Sequence, residues 1–371
     1  MRRSRWLAPW KDSLVKPAIY HCVSRVVDRR FVFGDTEREQ FRIYLRMYEN
    51  FSGCRILSYC IMSNHFHILL EVPPMPQGGL TDEELLGRLR AIYSDAVVGL
   101  VEKELKDARE KGLTAYAEQI HARYTYRMHD LSQFMKTVLQ RMTRWYNLCH
   151  QRKGTLWEER YKSVIVEDGT ASRMMAAYID LNPVRAGMVK DPAEYRWSSY
   201  GEALGGGAKG NGKKAREGLV RACLGHKGVG FEAEKWKEVA KMYRKLLGLA
   251  IERKSGGASE EVTAAKTKRL QAVTEKSLKP GKKPDPNAVK QADNDPVYQE
   301  LNMAAILCYR VRYFTAGAVV GSKAFVNEAF ASARERFSEK RKDGARAMKG
   351  TAREAKGVLW SMRDLRQPLG G

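Results

Sequence analysis

His65-Phe66-His67 heads an apolar run, and Tyr178 follows far downstream. On an extended strand, residues two apart point to the same face, so both imidazoles emerge side by side. Two neutral imidazoles on one rigid face can hold a divalent metal and leave positions open for a phosphate. A tyrosine phenol can serve as the nucleophile that attacks phosphorus. Together these are the parts of a metal-assisted, tyrosine-mediated DNA nicking site. An arbitrary His-x-His pair is more often two surface histidines on a half-buried strand. Here Ile68, Leu69 and Leu70 follow the pair and imply a central strand, hence a rigid support.

The other half lies in Met174-Met175-Ala176-Ala177-Tyr178-Ile179-Asp180-Leu181-Asn182-Pro183-Val184-Arg185-Ala186-Gly187. Tyr178 and Asn182 are four apart, so on a helix they share a face with Cβ atoms about 5–6 Å apart. A phenol and an oxygen ligand are thereby presented together, while Asp180 points elsewhere. Asn182 has a second reading. Asn-Pro is a good helix N-cap followed by proline at the first helical position, with Gly187 as a stop. Spacing leaves both readings open.

The elements that must position these residues follow from periodicity. Ala18 to Arg25, Cys54 to Met62, His65 to Val72 and Tyr161 to Glu167 read as strands, with Ser63-Asn64 a tight connection and Pro73-Pro74 a stop. Asp35-Thr36-Glu37 opens a helix carrying Phe41, Tyr44, Leu45 and Tyr48. A charged helical stretch begins at Thr81, and the insert reaches Arg123. Another helix follows Asp130, and one more carries Tyr178 and breaks at Pro183. The order β-α-β-β-α-β-α predicts an α+β fold: a ferredoxin-like antiparallel sheet with helices on one face.

Residues 14–204 form this first domain. Residues 205–296 read as a basic Gly/Lys/Pro-rich linker holding one helix, from Trp236 to Ile251. Residues 297–371 read as a mostly helical basic region. One helical pattern ends near Phe314 and another starts at Ser322, followed by a basic stripe from Arg334 to Arg346 that reads either as a grip on DNA phosphates or as a solvated helix face.

The chain has 371 residues, 66 Lys plus Arg against 43 Asp plus Glu, and a formal charge of +23. Such an excess points to a polyanionic partner, because neutralised phosphates release condensed counterions. No apolar run approaches the roughly 20 residues that span a bilayer, and no apolar core follows the basic N-terminus. Membrane partners are therefore not expected. The six cysteines contain no Cys-x-x-Cys pair, which fits a reducing cytoplasm and argues against a zinc ribbon or disulfide framework.

The ordered set His65-Phe66-His67, Gly154-Thr155-Leu156-Trp157-Glu158-Glu159-Arg160-Tyr161-Lys162-Ser163, Tyr178 to Gly187, and Trp197-Ser198-Ser199-Tyr200 resembles the single-tyrosine HUH transposases. Within them it is most similar to the REP-associated tyrosine transposase branch, over about Leu14 to Leu204. The resemblance implies an HUH fold and cleavage and rejoining of single-stranded or hairpin repeat DNA through a 5′-phosphotyrosine. It maps the metal ligands onto His65, His67 and Asn182, for Mg2+ or Mn2+, and the nucleophile onto Tyr178. It also implies a bacterial, nucleoid-associated protein acting as monomer or homodimer.

For DNA contact the sequence offers Arg152, Lys153, Arg160, Lys162 and Arg185, with Trp157 as a stacking aromatic. The competing reading is a solvated charged face over a core tryptophan. His21, on the strand expected beside the pair, is either structural or a support for it. Glu71 shares the parity of the histidines but lies too far along the strand to ligate with them. Two other functions compete: a catalytically silent repeat-DNA binder, and an RNA-processing hydrolase using metal-activated water.

Overall fold

The computed structural model describes residues 6–205, 211–225, 233–254, 303–308, 312–348 and 359–363. The chain divides into two units, residues 1–228 and 229–371. In the first unit β1 (Ala18–Arg25), α1 (Asp35–Ser52), β2 (Arg55–Ile61) and β3 (His65–Val72) follow in order. The insert comes next as α2 (Asp82–Leu89), α3 (Asp95–Glu110) and α4 (Thr114–Thr125). Then come α5 (Leu131–Cys149), β4 (Lys162–Val166), α6 (Thr170–Asp180), α7 (Asn182–Arg185), α8 (Ser199–Gly205) and α9 (Asn211–Leu224).

The sheet order within this unit is β2-β3-β1-β4, and every pairing is antiparallel. That is the expected ferredoxin-like arrangement. Register fixes two faces. Val23 lies opposite His67 and Arg25 opposite His65 on β1, while Val23 lies opposite Lys162 on β4. One face therefore carries His21, Arg25, His65, His67, Glu71 and Lys162. The other carries Phe66, whose ring meets Phe41 of α1 with centroids 5.0 Å apart.

Helices α1 and α5 pack together on the Phe66 face. Helices are expected on one face only, but α6 and α9 also cover the opposite, histidine face. The apolar run of β3 explains this, since Leu69 is buried on the histidine face as fully as Ile68 and Leu70 are on the other. The β2 edge is closed as well. Ile61 N–H donates to Trp197 O at 2.9 Å, and the Ser199 hydroxyl accepts from Tyr59 N–H at 2.9 Å. The Trp-Ser-Ser-Tyr segment thus shields an edge that would otherwise offer unpaired backbone groups.

The expected boundary at residue 204 moves to 228. Leu219, Val220, Ala222 and Cys223 of α9 are buried, and a Cβ at Gly218 would lie 2.4 Å from Ile56 O. This helix packs on β2 by backbone contact, which its Lys- and Gly-rich start conceals. In the second unit, α10 (Ala233–Lys254) contains the expected helix. Beyond it the described residues of the expected mostly helical region hold a short helix at Arg312–Ala316 and α11 (Lys323–Ala331), together with antiparallel strands β5 (Gly317–Gly321), β6 (Arg346–Ala347) and β7 (Trp360–Arg363).

Ser322 caps α11 by accepting from Phe325 N–H at 3.2 Å. The helix stops at Ala331, so the basic residues from Arg334 onward form no helical stripe. Arg341 lies 4.5 Å from the Phe337 ring centroid and donates to Gly344 O, which commits it to the local fold. Residues 255–302 lie outside the described set, and with them the linker reading of that stretch. No disulfide joins any of the six cysteines. No helix of the described residues is long and apolar enough to cross a membrane.

Candidate active site

The buried end of α6 meets the histidine face of the sheet. Gly169, at φ 77°, starts α6, and Met174, Met175, Ile179 and Tyr178 are buried along it. The Tyr178 ring stands edge-on to His67 at 5.6 Å and to His21 at 5.9 Å between centroids. His65 and His67 lie 5.1 Å apart, ring to ring. Residues separated by more than a hundred positions thus form one cluster.

Each histidine of the pair has its Nδ1 engaged. His65 Nδ1 meets Asn64 Oδ1 at 2.7 Å, so this nitrogen carries the proton. His67 Nδ1 lies 3.0 Å from His21 Nε2, with the two rings stacked at 13°. Nε2 of each ring is left as the nitrogen for a ligand, the tautomer that outer hydrogen bonds usually impose on metal-binding imidazoles. Burial, then the Arg25 charge, lowers the His65 pKa to about 4. Burial also pushes His67 well below its ordinary value, with His21, His65, Arg185 and Arg25 adding to it. Both rings are neutral near pH 7, the form that coordinates metal.

Asn182 does not cap α7, whose N-cap residue Leu181 makes no side-chain bond. Its amide nitrogen donates instead to Tyr178 O at 3.0 Å and Ile179 O at 3.1 Å. Two carbonyl acceptors identify that end as the NH2 group and leave Oδ1 as the oxygen available to an ion. Among the described residues no group of three or more His, Cys, Asp or Glu could hold a metal. The groups here that could hold a divalent ion are the two imidazole nitrogens and the Asn182 amide oxygen.

Arg185 lies 4.9 Å over the Tyr178 ring and donates to Tyr178 O at 2.8 Å. Burial raises the phenol pKa to about 12, and the Arg185 charge opposes that rise by favouring the phenolate. Arg25 and Lys162 are exposed on the same face, opposite His65 and Val23. Arg185 and Arg25 thus bring positive charge to the tyrosine and to the histidine pair.

The remaining sequence candidates separate. Lys153, Arg160 and Lys162 are exposed, and Arg152 is half-buried with a 3.4 Å contact to Asn147. Trp157 belongs to the core. Its indole N–H donates to Leu139 O at 3.2 Å, and its ring packs on Phe33, Phe41 and Phe66. Buried in this way it offers no free ring face to a base, as the core-tryptophan reading expects. The apolar periodicity of α1 and β3 required a large partner, which this indole supplies.

Three contributors were not assigned from sequence. Arg25 could have been found by strand parity once β1 was known to pair with β3. Asn64 reads as a turn residue until its carbonyl is seen on His65. Arg221 sits in α9, the helix taken for linker, and bridges Glu71 at 2.5 Å and Asp168 at 2.7 Å. Glu71, fully buried on the histidine face, is thereby paired with a cation and kept from the ligand role.

The family model described as IS200-like transposase matches residues 14–77, which run from before β1 to just past β3 and contain both site histidines. A solved structure of a REP-associated tyrosine transposase bound to a REP hairpin is similar at 12% identity and a TM-score of 0.33, covering 57% of this chain and 88% of that one. No curated protein matches this chain.

Proposed function

We propose that this protein is a transposase that cleaves and rejoins single-stranded or hairpin repeat DNA through a 5′-phosphotyrosine at Tyr178. The carrying observation is the meeting of Tyr178 with His67 at 5.6 Å, beside a second imidazole on the same strand face. The matching of the histidine segment to IS200-like transposases supports the same reading. A divalent ion held by His65, His67 and Asn182 would supply Lewis-acid polarisation of the scissile phosphate.

The chain's own groups do the rest. Tyr178 Oη forms a bond to phosphorus while the bond from phosphorus to the 3′ oxygen breaks. The phenol proton ends on the departing 3′ oxygen, giving a free hydroxyl. One phosphodiester replaces another, so rejoining is the reverse step and needs no nucleotide cofactor. Arg185 holds the tyrosine from above and offers charge to the developing phenolate. Arg25 and Lys162 supply seats for strand phosphates, and exposed Lys153 and Arg160 extend the cationic surface.

The test uses 3′-labelled hairpin oligonucleotides taken from repeats flanking the gene, with Mn2+, resolved on a denaturing gel. Wild type should carry label covalently, chelation should abolish it, and Tyr178→Phe should bind hairpin but form no adduct. Adducts with Tyr178→Phe would overturn the assignment. Cleavage without any adduct would indicate a water-using hydrolase, and binding without cleavage a silent DNA binder.

A further inference from the structure

Beyond the end of β1 the structure holds a cavity of about 330 Å3 that the reaction above does not use. This is the small end of the roughly 300–1,000 Å3 usual for small-molecule sites. Val26, Val27, Val32, Tyr146 and Leu156 give it apolar walls, and Arg30 and Arg152 stand at it as cations. His150, which also lines it, is bonded to Glu37 at 3.0 Å. Between Arg30 and Val32, Phe31 is 82% exposed. An apolar slot with two guanidinium groups suits a planar base flanked by phosphates, and Phe31 of the same segment adds an exposed aromatic ring.

The cavity is joined to the histidine face. Asn64 Nδ2 donates to Arg29 O at 2.9 Å, while its Oδ1 accepts from His65 at 2.7 Å. Val27 N–H donates to Leu156 O at 3.0 Å, continuing the chain path of β1 past Arg25, which pairs with His65. Two residues of extended chain span about 7 Å, less than a few nucleotides reach.

Its walls are also held in unusual backbone conformations. Asp28, Arg29 and Gln151 have φ of 57°, 56° and 49°. With His129 they are all the non-glycine residues of positive φ among the described residues, and three of the four flank this cavity. Left-handed backbone at such residues persists where the surroundings enforce it, commonly at ligand sites.

We propose that this cavity receives an unpaired nucleobase of the DNA strand whose scissile phosphate lies on the histidine face. The proposal rests on the nicking reading for the origin of the strand, and it makes the cavity a determinant of where that strand is cut. Phe31 stacks on the base or its neighbour, and Arg30 and Arg152 meet the flanking phosphates.

The test measures fluorescence-anisotropy binding of the full-length protein to a labelled hairpin oligonucleotide from the flanking repeats, with a single abasic site placed at each unpaired position in turn. In wild type one abasic position should weaken binding about tenfold or more. In Val27→Trp, which fills the cavity, and in Phe31→Ala, an exposed change that leaves the core intact, that same position should lose its effect. Coupling of this kind separates base capture from general charge or folding effects. The proposal is overturned if no abasic position weakens wild type, or if both variants keep the wild-type position dependence. Adduct formation by wild type is scored in parallel. Adducts with no coupling remove the cavity but keep the nicking reading; coupling with no adducts removes the nicking reading but keeps the cavity.

Discussion

Tyr178 is the residue on which the proposed chemistry turns, and its surroundings oppose one another. Burial favours the neutral phenol, while Arg185 over the ring favours the phenolate. The histidine pair is held in a similar way, with His21 and Asn64 each engaging the Nδ1 side of one ring. A residue away from the site carries the pH dependence that can be read most directly. His129 donates from Nδ1 to Pro73 O at 2.9 Å and accepts on Nε2 from Arg88 at 2.9 Å. Burial first, and then the Arg88 charge, lower its pKa. Its folded pKa thus lies below the unfolded value of about 6.5, so the unfolded chain binds more protons between the two. Stability from neutral His129 is present above about pH 6.5 and is lost as pH falls from there toward the lowered value. Thermal melts from pH 7 to pH 5 should show a fall in midpoint for wild type and a shallower fall for His129→Asn. Equal slopes would remove His129 as the cause.

At the scale of elements, α9 shows how close packing inverts a propensity. Alanine in place of glycine inside an exposed helix stabilises by roughly 0.5–1 kcal/mol. Gly99 in α3 has open space around its Cβ direction, so Gly99→Ala should raise stability by about that amount. Gly218 in α9 would place a Cβ 2.4 Å from Ile56 O and 3.0 Å from Leu57 O, both backbone atoms that cannot swing aside. Gly218→Ala should therefore destabilise by on the order of 1–3 kcal/mol, as overpacking does. Urea midpoints of the two variants should move in opposite directions. The same helix brings Arg221 to Glu71 and Asp168, so its docking also settles the charge on the histidine face.

For the molecule as a whole, charge sets the binding regime. On the proposed function, a formal +23 over 371 residues, with Arg25 and Lys162 exposed on the histidine face, would make phosphate neutralisation the main contribution to affinity. Affinity for single-stranded DNA should fall by roughly a thousandfold between 50 and 200 mM salt, where several phosphates are engaged. Titrations at three or more salt concentrations give the slope. A flat line would mean that the basic surface does not meet DNA. The three-helix insert α2–α4 adds little to this charge pattern. Asp82 pairs with Arg109 at 2.8 Å and His121 at 2.7 Å, and Glu104 pairs with Arg123 at 2.6 Å.

The sequence by itself determined the parts that depend on local periodicity. The strand bearing His65 and His67, the helix bearing Tyr178 and the β-α-β-β-α-β order follow from spacing, because a residue's face depends on its neighbours two, three and four positions away. Contacts between distant segments were decided only by tertiary structure. Whether Asn182 capped a helix or turned back on Tyr178 depended on where α6 ended. Whether Trp157 faced solvent or Phe41 depended on how the segment after α5 returned to β1. That His21 would meet His67, and Arg221 would meet Glu71, required the strand register and the docking of α9. Periodicity states which side of an element is apolar; only the folded chain states which other element that side meets.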